Sequence, residues 1–90
     1  MSQTPSAAAR AEALGEKIAV TFEGAEYAIL PTSEWDYEVL EAFEEGRIVA
    51  FLRALLGDEQ HSRFRATKPK IAAVTLFMEE IQKALGISGN

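Results

Sequence analysis

Residues 17–31 read KIAVTFEGAEYAILP, and the choice between an all-helical and a mixed fold rests on their alternation. Ile18, Val20 and Phe22 recur at every second position, the period that sets side chains on one face of a strand. Gly24 and Ala25 supply a tight turn. Tyr27 and Ile29 share the inward face of the returning strand, and Pro31, with no amide proton to donate, ends the pairing. The stretch predicts a β-hairpin. A lone hairpin is marginal in water unless its apolar face is covered, so the rest of the chain must supply the cover.

Downstream of Pro31 the apolar period becomes helical. Thr32 or Ser33 is an N-cap candidate, with Asp36 placed to favour the positive end of the helix. Trp35, Val39 and Phe43 recur at helical spacing up to Gly46, a natural C-cap, which predicts a first helix over about 33–45. In RIVAFLRALLG, Ile48, Phe51, Leu52, Leu55 and Leu56 cover a broad arc widened by Val49, predicting an enclosed second helix. Gly57 suits a left-handed C-cap and Asp58 an N-cap, so LLGDEQ reads as a helix corner, followed by a short third helix over about 59–65 that presents Phe64 inward. Thr67 reads as the cap of a last helix with Pro69 in its first turn. Along that helix Ile71, Val74, Phe77, Met78, Ile81 and Leu85 form a stripe, Glu79 and Lys83 an i,i+4 pair, and Gly86 the end.

Upstream, residues 1–16 combine Ser, Thr, Pro and Gln with alanines that offer little to bury, which predicts a flexible tail. Residues 17–90 are then a single domain of class α+β, mostly α: an N-terminal hairpin packed on a small bundle of about four short helices, in the order ββαααα. A chain of 90 residues, 48% apolar and 26% charged, has the balance of one small globular unit.

Cysteine is absent, so disulfides and thiolate metal sites are excluded, and a reducing cytoplasm is expected. No apolar run approaches the roughly 20 residues of a membrane span, since Arg53 and Glu79 interrupt the two best candidates. The amino end has neither a basic start nor an apolar core of a signal peptide, so export is not expected. The net charge of −5 argues against non-specific nucleic-acid binding. Charge is also segregated: residues 23–45 hold eight acids and no base, and residues 47–70 hold six bases and two acids. That pattern reads either as a solvated surface or as complementary patches for a partner or a second copy of the chain.

Catalytic chemistry is sought in vain. His61 is the only histidine, and its nearest acids, Asp58 and Glu59, suit a helix start better than a metal site, so it reads as a solvated surface residue. There is no nucleophile elbow and no glycine-rich phosphate loop. The carboxylate pairs Glu44–Glu45 and Glu79–Glu80 diverge, because neighbours on a helix point about 100° apart. The chain reads as a non-enzyme without cofactor or metal. RFRATKPK, residues 63–70, sets four bases around one aromatic and is the basis of an alternative reading as a small DNA- or RNA-binding regulator. Leu40 and Leu76 lie off the inward faces of their helices. With the acids Glu38, Glu41 and Glu45 they are the candidate partner-binding residues.

KIAVTFEGAEYAILP, the acidic SEWDYEVLEAFEEG, and RALLGDEQHSRFRA with its closing helix together resemble the tail assembly chaperones of long-tailed bacteriophages and prophages, particularly those of actinobacteria. The resemblance spans about residues 17–86, and the leucine-glycine-acid corner with a downstream aromatic is its most distinctive part. It implies a non-structural factor that acts in the host cytoplasm and is left out of the mature virion. Its implied partner is the tape measure protein, a helical rod kept soluble until tail tube subunits polymerise around it. A longer frameshifted product is common in that family, and self-association is compatible with it. A small structural head-tail connector is a further alternative.

Overall fold

Strand β1 (Ile18–Phe22) pairs antiparallel with β2 (Ala25–Ile29), with Ile18 opposite Ile29 and Phe22 opposite Ala25. This computed structural model describes residues 13–87; most of the tail expected over 1–16 lies outside the described residues. The turn is Glu23–Gly24, at φ 50° and 81°, one residue earlier than the expected Gly24–Ala25. A two-residue turn that matches the strand twist needs positive φ at both positions. Glycine therefore takes the second, and Ala25 stays in the ladder.

After a single 3-10 turn at Thr32–Glu34, helix α1 spans Tyr37–Glu44, starting later than the expected residue 33. The cap is Asp36, whose Oδ1 accepts from the Val39 amide at 3.0 Å. Trp35 therefore stays outside the helix in extended backbone. Its indole Nε1 donates to the Leu30 carbonyl at 3.2 Å, and its ring lies 5.4 Å from each of Phe43 and Phe51. The paired indole N–H lets the ring pack without stranding a polar group. At the other end Gly46, at φ 70°, closes α1 as expected, with Gly46 N–H donating to Phe43 O and Arg47 N–H to Ala42 O.

Helix α2 (Ile48–Ala66) is two helical arms, 48–56 and 58–66, broken at Gly57 with φ 80° and ψ 162°. The expected corner exists, and counting its arms gives the four short helices. Its geometry differs from a left-handed cap, because Gly57 occupies the mirror image of extended backbone, a region essentially confined to glycine. Asp58 accepts no capping hydrogen bond among the described residues. Thr67 closes α2, its hydroxyl donating to the Phe64 carbonyl at 2.7 Å, and so does not cap the last helix. Helix α3 spans Ile71–Leu85 with Lys70 at its N-cap position, which leaves Pro69 before the helix. Lys68, at φ 54°, turns the chain between them. Lys83 pairs with Glu80 at 3.5 Å and not with Glu79.

Buried β1 and β2 side chains, α3 and the second arm of α2 meet at Phe77. That ring lies 4.8 Å from Phe22, 5.2 Å from Tyr27 and 4.7 Å from Phe64. The α3 stripe is shorter than expected, because Ile71 is 85% exposed. Fifteen helical residues run about 22 Å, longer than the roughly 17 Å of a five-residue strand, so the hairpin alone can cover only part of α3. Ile48 and Val49, expected in an enclosed helix, are likewise exposed in the first turn of α2.

Candidate partner-binding surfaces

The second arm of α2 runs along the open edge of β2. Ala28 N–H donates to Gln60 Oε1 and Gln60 Nε2 donates back to the Ala28 carbonyl, both at 2.8 Å. One carboxamide thus pairs with the strand as a neighbouring backbone would, and that edge is closed to further strands. Arg63 continues the cover, donating to the Glu26 carbonyl at 2.6 Å while its guanidinium lies 4.8 Å from the Tyr27 ring centre. Neither role was foreseen. The available signal was the i,i+3 spacing of Gln60 and Arg63 beside the inward Phe64.

Of the candidate partner-binding residues, Leu40 is 41% and Leu76 54% exposed. Leu40 borders a shallow depression with Thr32, Trp35, Asp36 and Tyr37. Leu76 stands on α3 and is not among the residues that line that depression, so the structure does not draw the two leucines into one pocket. Glu41 and Glu45 both pair with Arg47, Glu41 at 3.6 Å, and Glu38 is exposed. These pairs are open to solvent and contribute little to stability.

His61 is a correction: it is buried, only 8% exposed. The break at Gly57 brings the two arms of α2 together around it. Leu52 and Phe64 form the floor of a groove of about 520 Å³, Val49 and Val74 its apolar sides, and Arg53, Arg65 and Lys68 its rim. Burial, then the guanidinium groups of Arg53 and Arg65, lower the His61 pKa from its ordinary value of 6.5, against a smaller upward pull from Asp58. None of the three rim cations has an ion-pair partner among the described residues. Arg53 and Arg65, twelve residues apart in sequence, therefore act together on one buried ring, with Asp58 opposing them.

A second cleft, about 330 Å³, lies between the α1–α2 turn and α3, with Phe43, Ile48, Phe51 and Met78 among its walls. Among the described residues no cluster of three or more potential metal ligands occurs, and no helix is long and apolar enough to cross a membrane. No known protein family, curated protein or solved structure matches the chain.

Proposed function

We propose that the protein is a non-catalytic tail assembly chaperone of a long-tailed phage or prophage. It would bind the tape measure protein and hold it soluble in the host cytoplasm during tail assembly, without entering the virion. The observation that supports this reading is apolar exposure on an acidic domain. Tyr37, Leu40, Ile71 and Leu76 are all more than 40% exposed, on a chain of net charge −5. Accessible apolar side chains can cover apolar stripes of a helical client, and net charge keeps the complex dispersed. A second reading, a nucleic-acid-binding regulator, draws on Arg53, Arg65 and Lys68, which have no ion-pair partner among the described residues. It is weakened by Arg63, whose guanidinium is occupied by β2.

The test is capture of tape measure fragments by the wild-type chain, by Leu40→Ser with Leu76→Ser, and by a variant with Glu38, Glu41 and Glu45 changed to Lys. At roughly 25 cal/mol per Å² of apolar surface, each leucine lost should weaken binding by about 1–2 kcal/mol, whereas the charge variant should mainly slow association. Equal capture by the serine variant would remove the two leucines from the site. A wild-type chain that ignores every fragment and retains DNA or RNA in a salt-dependent way would favour the regulator. Its presence in purified virions would favour a structural connector.

A further inference from the structure

The groove between the arms of α2 holds a polar group that the fold leaves unanswered. His61 is only 8% exposed and makes no hydrogen bond among the described residues, yet no buried side-chain nitrogen or oxygen there lacks a partner. Its ring nitrogens are therefore not sealed in the core: they open on the groove that the residue lines. A neutral imidazole keeps one N–H donor, and a protonated one has two. Around the ring, Arg53 comes from the first arm, Arg65 from the second and Lys68 from the turn before α3. None of the three has an ion-pair partner among the described residues. All four groups offer hydrogens to one space, and the acceptor that suits them is an anion.

The rest of the lining is apolar. Val49, Pro69 and Val74 flank the groove, and Val49 is 68% exposed, a surface that a hydrated inorganic ion would leave wet. A complementary occupant carries its charge at one end of an apolar body. The volume of about 520 Å³ lies within the roughly 300–1,000 Å³ of small-molecule sites. The cleft beside Met78 lacks these features, since its arginine, Arg47, is already paired with Glu41 and Glu45. We propose that the groove is a binding site for a small monocarboxylic acid with an alkyl or aryl body, its carboxylate held by His61, Arg53 and Arg65 and its apolar end against Val49 and Val74. Asp58 is the acid that acts on His61, and α3 faces the groove with Val74 alone, so an arriving carboxylate meets more positive than negative charge. Bound beside the ring, it favours the imidazolium. Affinity should therefore rise as pH falls from about 8 towards 6, where the ligand is still ionised. Leu40 and Leu76 do not line the groove, so this site stands or falls apart from the chaperone reading.

His61 is the only histidine, so its ring proton resonances report the site without ambiguity. Octanoate titrated into the purified wild-type chain should move them saturably, with a Kd on the order of 1 mM, and should raise the pH at which the ring titrates. Acetate, phosphate and octanamide each lack half of the ligand and should bind at least about ten-fold more weakly. Arg53→Gln with Arg65→Gln should weaken octanoate binding by a similar factor. Lys17→Gln with Lys70→Gln removes as much charge from exposed positions off the groove and should bind as the wild type does. Circular dichroism establishes that the variants are folded; if the arginine variant is not, the contrast between octanoate and octanamide on the wild type decides. No saturable response up to about 20 mM octanoate overturns the proposal. So do equal responses to octanamide or phosphate, an equal loss in both charge variants, or binding that leaves the titration of His61 unmoved.

Discussion

At the scale of single residues, Gly57 and His61 carry the most information. At φ 80° and ψ 162° Gly57 occupies backbone that side-chain-bearing residues reach only with strain of about 1–3 kcal/mol. A Cβ there would meet no atom within 4 Å, so the expected loss in Gly57→Ala is purely conformational. Gly57→Val should lose at least as much, and thermal melting measures both. An unchanged midpoint would mean that the two arms can straighten at no expense. His61 is held below its ordinary pKa of 6.5 by burial, Arg53 and Arg65, against Asp58; Lys68 stands on the same groove. The unfolded chain therefore binds the proton more readily than the folded one. The stability tied to neutral His61 is fully present above the unfolded value and is lost as pH falls through the folded one. Melting midpoints of the wild type should drop relative to His61→Gln between about pH 7 and 5. A constant difference across that range would sink this account.

At the scale of elements, the hairpin depends on side chains of α2 as well as on its own ladder. Ala28 exchanges no ladder bonds with its opposite Ala19 and is satisfied by Gln60. Gln60→Ala should cost about 1–3 kcal/mol, the usual penalty for leaving partly buried polar groups without partners. It should also speed hydrogen exchange at the Ala28 amide. Unchanged exchange there, with folding intact, would show that water replaces the carboxamide fully. The hairpin itself was legible in the sequence because alternation is local. Its cover along β2 was not, because a glutamine in a surface-like DEQ run pairs with a strand 32 residues away. Helix ends divide in the same way. Gly46 and Gly86 were read correctly because their positive φ is a local demand met by glycine, whereas Thr67 and Ser33 lost their expected capping roles. Asp36 caps α1 instead, and Trp35, left outside the helix, packs on Phe43 and Phe51.

At the scale of the whole molecule, three surfaces compete for assignment: the leucines on α1 and α3, the cleft beside Met78, and the basic groove. Leu40 and Leu76 are exposed, so their double serine variant should melt close to the wild type, which makes it a clean probe of client capture. A large drop in its midpoint would place both residues in packing contacts and remove them from consideration as a binding surface. By itself the sequence determined the fold class, the corner at Gly57, the glycine-closed helix ends and the segregation of charge, all of which follow from local periodicity and backbone preference. Tertiary structure alone decided that His61 is buried, that Ile71 and Val49 are exposed, and that Arg53 and Arg65 share one groove. These depend on how far each helix extends past the elements that cover it and on where a break in α2 redirects its second arm. No local pattern encodes either distance.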